Sequence, residues 1–244
     1  MFKCLKTRKR YDIKFYELNT NLELKESQFL LFLQDAATEN AEINGFGPTF
    51  TMNNNLGWFL LKYRIELTQY PNGYPYIEIE TEPRGASKCF AMRDFTLFNP
   101  KGEVIGRINS TWALIDMEIK TMLPVLKVAD GFPAFEKREN DLVFNKVRVP
   151  DVFKYEKSFN VRFDDLDVNH HANNSNFIAW ALEALPYDFR KNSSLRTLDM
   201  QFKKDIAINE TVVSKVIIDE RDTIHLLLNK STDEELCLLK ASWS

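Results

Sequence analysis

The chain repeats one order of elements in its two halves: a single helical pattern followed by four runs of strand character. Apolar residues recur at helical spacing from Leu24 to Ile43 in the first half, and from Asn174 to Leu185 in the second. Runs rich in β-branched and aromatic residues follow each helix. The predicted strands cover residues 58–67, 76–82, 90–98 and 104–116 in the first half, and residues 195–204, 211–219, 223–229 and 236–243 in the second.

The final hairpins of the two halves also resemble each other. FTLFNPKGEVIGRINSTW ends at Trp112 and HLLLNKSTDEELCLLKASW ends at Trp243, with nearly equal spacing between asparagine and tryptophan. Residues 99–102, and the pair Asn72 and Gly73, are typical of hairpin turns. We interpret the repeat as an ancient duplication. It predicts an α+β fold in which each half wraps a curved antiparallel sheet around its helix.

Turn-forming residues mark the borders of these elements. Thr20 and Glu23 have the form of a capping box ahead of the first helix, and Gly45 and Gly47 are expected to end that helix. Between the halves, residues 121–150 carry three prolines and the charged stretch EKREN, which is typical of a crossing linker. The predicted division is an N-terminal domain over residues 1–120, a linker over residues 121–150 and a C-terminal domain over residues 151–244.

The composition narrows the classes of function. Lys and Arg number 32 against 35 Asp and Glu, and this net charge of −3 provides no global attraction to nucleic acid or to an anionic membrane. No apolar run approaches ~18 residues, and the basic start of the chain lacks the apolar core of a secretory signal. We therefore expect a cytoplasmic protein without stable membrane insertion. Three widely spaced cysteines predict neither a disulfide framework nor a metal site, and no cofactor is expected.

The run DLDVNHHANN, residues 165–174, crowds acid, base and amide side chains ahead of the second helix. Polar groups are costly to bury without partners, so the run requires either a helix cap or a chemical site. Asparagine is a favoured N-cap residue, and the pair Asn173-Asn174 is expected to supply the cap. Capping alone does not require Asp167, Asn169 and His171 together. These three residues are the candidate site.

The stretch RFDDLDVNHHANNSNFIAWALEALP, residues 162–186, resembles the signature of the acyl-acyl-carrier-protein thioesterases, RxxDLDxNxHVNNxxYIxWxLE. The matching residues are Arg162, Asp165, Leu166, Asp167, Asn169, His171, Asn173, Asn174, Ile178, Trp180, Leu182 and Glu183. The resemblance implies two tandem hot-dog domains and hydrolysis of fatty acyl-acyl-carrier-protein, which releases free fatty acid and terminates fatty acid synthesis. It also implies that the N-terminal domain shapes the acyl pocket, since residues 21–40 contain no equivalent of Asp-x-Asn-x-His.

Thioester hydrolysis needs an activated water, a donor for the developing oxyanion and a proton for the leaving thiolate. His171 is the natural proton handler, because imidazole titrates near neutral pH. Asn169 is expected to hold the water or the carbonyl group, and Asp167 to orient its neighbours. These roles are hypotheses.

The general base is expected outside this run. Plant members carry an acidic residue in a segment resembling LEYRREC, and its counterpart here is LDMQFKKD, which makes Asp205 the candidate base. Ile206 replaces the adjacent family cysteine, so a covalent cysteine mechanism is disfavoured and direct attack by water is expected. The alternative is that Asp205 belongs to a solvated strand face, which alternate strand parity would form from Asp199, Gln201, Lys203 and Asp205.

The resemblance also suggests residues for the acyl chain and for its carrier. Phe29 and Leu33 of the first helix, and Trp58, are core residues that would also border the acyl tunnel, where bulk would set chain length by ~0.8 kcal/mol per buried methylene. The expected partner is an acyl carrier protein with a phosphopantetheine-linked fatty acyl chain. Weak docking candidates for this acidic carrier are the basic residues Lys3, Lys6, Arg8, Lys9, Arg10, Arg84, Lys88 and Lys191.

Two other functions stay open at this point. The same chemistry would hydrolyse acyl-CoA, which shares the thioester and the phosphopantetheine arm. A non-catalytic acyl-binding hot-dog protein is the second alternative, although it would leave Asp167, Asn169 and His171 without a purpose. A homodimer is possible, and no nucleic acid partner is expected.

Overall fold

A computed structural model describes residues 6–168 and 170–244 of the chain. Its helices are α1 (Glu26–Ile43), α2 (Pro48–Asn53), α3 (Val125–Val128), α4 (Asn174–Glu183) and α5 (Tyr187–Lys191). Its strands are β1 (Thr7–Asp12), β2 (Leu56–Leu67), β3 (Tyr76–Ser87), β4 (Phe90–Phe98), β5 (Val104–Asp116), β6 (Met122–Leu123), β7 (Tyr155–Asn160), β8 (Leu195–Phe202), β9 (Thr211–Asp219), β10 (Asp222–Asn229) and β11 (Glu235–Trp243). The predicted helices and strands all appear, with borders shifted by a few residues.

The described residues form two compact units that interleave along the sequence. The first unit comprises residues 6–14, 31–64 and 74–143, and the second comprises residues 15–30, 65–73 and 144–244. Neither unit is one continuous segment, because the chain passes from one to the other within α1 and again within β2. The domain borders at residues 120 and 150 stay a prediction.

In the first unit, the strands run in the order β1-β3-β4-β5-β2, with β6 paired to β5. The predicted hairpin at residues 99–102 is confirmed: β4 pairs antiparallel with β5, and Asn99 N–H donates to the Glu103 carbonyl over 3.0 Å. The predicted hairpin at Asn72 and Gly73 is wrong. Gly73 does turn the chain with φ 64, but β3 pairs with β1 and β4.

The two ends of α1 differ in how well the sequence predicts them. Gly45 has φ 83 and closes a Schellman motif, in which Phe46 N–H donates to the Ala41 carbonyl and Gly45 N–H donates to that of Glu42. The helix end is therefore confirmed. The capping box is wrong, because α1 begins at Glu26 and Glu23 lies in the preceding loop, bridged to Asn72.

The segment predicted as a linker is tied to β3 by both backbone and charge. Ala86 N–H donates to the Pro133 carbonyl over 2.8 Å, and the Arg84 guanidinium forms ion pairs with Asp141, at 2.6 Å, and with Asp94. The Arg84 side chain is only 2% exposed, so this residue is wrong as a docking candidate for a carrier protein.

Gly85 of β3 lies close against the backbone of this segment. Its φ is 97, and a Cβ there would meet the Ala134 carbonyl oxygen at 2.6 Å. We expect Gly85→Ala to lower the free energy of unfolding by about 2 kcal/mol or more, since steric overlap adds to backbone strain. Gly102→Ala is the matched control, because Gly102 has φ 80 with nothing within 4 Å, and strain alone costs about 1 kcal/mol. Urea unfolding of both variants measures the difference, and equal losses would contradict the close approach.

In the second unit, the strands run in the order β8-β11-β10-β9-β7, and α4 packs against β9 and β10. A buried chain of hydrogen bonds links these elements through His225. The Trp243 indole N–H donates to the Thr223 hydroxyl over 3.0 Å, and this hydroxyl lies 2.9 Å from His225 Nε2. His225 Nδ1 lies 3.0 Å from the Ala181 carbonyl of α4, to which it donates when the ring is neutral. His225 is therefore a buried, hydrogen-bonded structural residue.

Burial lowers the pKa of His225 from 6.5 to about 4. The unfolded chain therefore binds a proton before the folded one as the pH falls. The contribution of His225 to the free energy of unfolding is fully present above pH 6.5. It declines as the pH falls towards 4, by up to about 3 kcal/mol. We expect urea unfolding between about pH 7 and about pH 5 to give a shallower decline in His225→Gln than in wild type. Parallel declines would contradict a neutral, buried imidazole.

Candidate active site

A short loop ahead of α4, residues 165–173, is closed by a ladder of backbone contacts; we call it loop B. Asn173 N–H donates to the Asp165 carbonyl over 2.8 Å, and Leu166 pairs with Ala172 as an antiparallel bridge. In the next rung, Asp167 N–H donates to the His171 carbonyl over 2.8 Å. These rungs bring together two of the residues that the sequence singled out.

The tip of loop B turns through His170, whose φ is 64 and whose N–H donates to the Asp167 carbonyl over 3.0 Å. Asn169 lies outside the described residues, so its role stays a prediction. At the other end of the loop, the Asn173 side chain accepts from Ser175 N–H over 2.9 Å and caps α4. The predicted cap is therefore confirmed at Asn173.

Loop B is also joined to the segment that follows β8. Ala172 N–H donates to the Ile206 carbonyl over 3.0 Å, so the residues before each of these two, His171 and Asp205, are brought side by side. His171 Nδ1 lies 3.4 Å from Asp205 Oδ2, with the two side chains 36% and 49% exposed. This contact is an ion-pair distance without the alignment of a hydrogen bond, and Nδ1 has no other hydrogen-bond partner among the described residues.

The alternative reading of Asp205 as part of a solvated strand face is wrong. β8 ends at Phe202, so Asp205 lies beyond the strand. Asp199 is 2% exposed, and its carboxylate accepts from both the backbone N–H and the side-chain amide of Asn145, each over 3.1 Å. The carboxylate that contacts His171 therefore belongs to the segment after the strand.

The first half contains a second loop with the same backbone geometry, residues 17–25, which we call loop A. Asn19 N–H donates to the Glu23 carbonyl over 2.8 Å, and Lys25 N–H donates to that of Glu17 over 2.9 Å. These bonds reproduce the rungs of loop B at a constant offset in sequence. The bridge of Leu18 with Leu24 and the positive φ at Leu22 also have their counterparts in loop B.

Residues 21–40 contain no Asp-x-Asn-x-His triplet, as expected, but loop A reproduces the backbone positions of that triplet slightly earlier in the chain. The positions of the triplet are occupied by Asn19, Asn21 and Glu23. The first of these lies two residues before the range 21–40. Leu24 N–H donates to the Pro71 carbonyl over 3.1 Å, as Ala172 does to Ile206, which places Tyr70 at the position of Asp205. The gapless match of FYELNTNLELKESQF with FDDLDVNHHANNSNF was the available signal.

Loop A contains no histidine. The Glu23 carboxylate is buried and accepts from the Ser194 hydroxyl, while the Asn19 amide oxygen accepts from Asn21 and Glu23 N–H. The Tyr70 hydroxyl donates to the Leu24 carbonyl, and burial raises the pKa of Tyr70 well above its ordinary value. The contact of an imidazole with a carboxylate is instead made by His171 of loop B with Asp205.

The predicted acyl-contact residues lie in the interior. Phe29 and Leu33 are fully buried on α1, and Trp58 is half-buried with its indole N–H donating to the Phe46 carbonyl over 2.8 Å. Their contact with an acyl chain stays a prediction. Cys237 is buried in β11, and burial raises the pKa of its thiol, so it is not an activated nucleophile.

Within residues 6–168 and 170–244, no group of three or more His, Cys, Asp or Glu side chains is placed to hold a metal ion. In the same ranges, no helix is long and apolar enough to cross a membrane.

Solved structures with the same fold cover nearly the whole chain. An acyl-ACP thioesterase from Bacteroides thetaiotaomicron superposes with a TM-score of 0.86 at 18% identity, over 98% of each chain. The 12:0-ACP thioesterase from Umbellularia californica superposes with a TM-score of 0.84 at 19% identity, over 98% of this chain and 97% of the other. The predicted tandem hot-dog fold is confirmed.

Sequence relatives and family models agree with the fold. The oleoyl-acyl carrier protein thioesterase 2 of Arabidopsis thaliana is 26% identical over 85% of this chain and 61% of its own length. An acyl-[acyl-carrier-protein] hydrolase of Cuphea viscosissima is 25% identical over 88% of this chain and 55% of its own length, so the chain spans little more than half of these relatives. The model of the acyl-ACP thioesterase N-terminal domain matches residues 4–130, and that of the C-terminal domain matches residues 150–244. The chain belongs to the acyl-ACP thioesterase family.

Proposed function

We propose that the chain hydrolyses the thioester of fatty acyl chains carried by acyl carrier protein and releases free fatty acid. The observation that carries the proposal is the contact of His171 Nδ1 with Asp205 Oδ2, 3.4 Å apart at the surface of the second unit. Family membership supplies the class of substrate, and the pair supplies a base and a proton carrier.

The proposed reaction is direct attack by water. Asp205 and His171 take the proton of a water molecule as its oxygen bonds to the thioester carbonyl carbon. The carbon–sulfur bond then breaks, and the imidazole returns the proton to the leaving thiolate. Asn169 and Asp167 are proposed to hold the water and to orient the loop. The family cysteine position is Ile206 here, which favours this route over an acyl-enzyme.

The carrier is proposed to dock through its acidic surface and to deliver the acyl chain on its phosphopantetheine arm. Several of the basic candidates are engaged within the chain: Lys9 pairs with Asp35 and Glu39, and Arg8 pairs with Glu78. Lys88 and Lys191 are exposed and remain candidates. If charge reversal at both lysines leaves turnover of carrier-bound substrate unchanged, neither lysine is a docking residue for the carrier. Cytoplasmic location and a homodimer stay predictions.

A panel of matched acyl thioesters tests the function. Free fatty acid release is measured from acyl chains of graded length on acyl carrier protein and on CoA, with wild type beside His171→Ala. A higher kcat/KM for the carrier-bound series supports the proposal, while a higher value for CoA makes the chain an acyl-CoA thioesterase. Tight acyl binding without release by wild type would instead identify a non-catalytic acyl-binding protein.

A further inference from the structure

Asp165 is the most deeply buried charged side chain among the described residues of loop B, with the residue 2% exposed. Its carboxylate accepts three hydrogen bonds from Arg162: from the backbone N–H at 2.8 Å, from Nη2 at 2.6 Å and from Nε at 3.2 Å. Burial alone would favour the neutral acid, but these bonds hold the pKa of Asp165 below its ordinary value. The ionised side chain therefore holds the turn that leads into loop B; we call the Asp165 carboxylate with its three bonds from Arg162 the clamp.

The backbone carbonyl of Asp165 holds the opposite end of the loop. It accepts from Asn173 N–H and from the Asn176 side-chain amide, each over 2.8 Å. One residue thus joins the turn before loop B to the first turn of α4. Two rungs further along the same ladder, Asp167 N–H reaches the carbonyl of His171.

We propose that Asp165 is a positioning residue, which acts through Arg162 and the rungs of loop B to hold His171 against Asp205. The inference deepens the proposed hydrolysis and rests on it. A contact of 3.4 Å between two partly exposed side chains is set by the backbone beneath them, because neither side chain is locked by burial. A displacement of reacting groups by 1 Å lowers the reaction rate by about 100-fold.

Loop A provides the comparison within the same chain. Glu17 lies at the position of Asp165, and its carbonyl accepts from Lys25 N–H over 2.9 Å, yet the residue is only half-buried. The rungs therefore form in loop A without a deeply buried carboxylate at their base. The buried, ionised clamp occurs in the loop that must keep an imidazole at a fixed distance from a carboxylate.

Asp165→Asn tests the inference directly. The amide turns one acceptor into a donor that faces the donors of Arg162, so the clamp loosens while the side-chain volume is kept. We expect kcat for acyl-carrier-protein thioester hydrolysis to fall by about 10- to 100-fold, with KM within about twofold of wild type. Glu17→Gln, the matched control in loop A, is expected to retain wild-type kcat. Circular dichroism and urea unfolding establish that both variants are folded.

A second measurement separates positioning from general damage to the fold. If Asp165 acts through His171, Asp165→Asn should lower kcat no further in a His171→Ala background. A further loss of the same 10- to 100-fold in that background would overturn the inference, as would full kcat in folded Asp165→Asn. If Asp165→Asn does not fold, Arg162→Lys serves instead, because lysine keeps the charge but lacks the planar fork, and the same split between kcat and KM is expected. If wild type releases no free fatty acid, the proposed function is overturned, whereas the structural role of Asp165 in loop B is not.

Discussion

His171→Ala is expected to lower kcat for thioester hydrolysis by about 100- to 10,000-fold, because it removes the proposed proton carrier. Asp205→Asn should cause a loss in the same range, since the amide no longer accepts a proton. Both side chains are partly exposed, so the free energy of unfolding should change by less than about 1 kcal/mol. Steady-state kinetics on acyl-carrier-protein thioesters, with urea unfolding in parallel, measure both effects.

The control for this pair is the adjacent histidine. His170→Asn keeps a residue that tolerates the positive φ of 64 and removes an imidazole outside the contact with Asp205. We expect it to keep kcat within about threefold of wild type. Wild-type activity in purified Asp205→Asn would remove Asp205 as the base and leave His171 to act with another group.

The largest expected loss of stability follows from Arg84. Arg84→Ala leaves the carboxylates of Asp94 and Asp141 without the buried guanidinium that pairs with both, and should lower the free energy of unfolding by about 3 kcal/mol or more. Arg138→Ala is the matched control, because Arg138 pairs with Glu82 at 2.6 Å while its own side chain is 55% exposed. That pair should contribute less than about 1 kcal/mol. Equal losses in urea unfolding would contradict the distinction between buried and exposed pairs.

Elements with strong periodicity could be predicted from the sequence, and elements with charged faces could not. β4, β5 and β9 match their predicted borders because β-branched and aromatic residues fill them. β1 and β7 are missing from the prediction, since TRKRYD and YEKSFN carry charges typical of strands at a sheet edge. Their pairing depends on partner strands distant in sequence, which local patterns do not encode.

Within the candidate site, residue types were predictable and distances were not. The motif and its family resemblance singled out His171 and Asp205, but neither encodes the bond between Ala172 and Ile206 that brings the two segments together. The burial of Arg84 was hidden for a similar reason, because one of its partners, Asp141, lies 57 residues away in sequence. Loop A shares the backbone pattern of loop B but few of its side chains, so the motif residues alone do not predict it.

The two loops bear on how many reacting centres each chain offers. Loop A keeps the rungs and the turn of loop B, but it presents a buried carboxylate where loop B presents an imidazole. Under the proposed mechanism, a single-turnover experiment therefore cleaves one thioester per chain, and not one per hot-dog domain. The duplicated fold thus provides two hot-dog domains but, under the proposed mechanism, one reacting centre per chain.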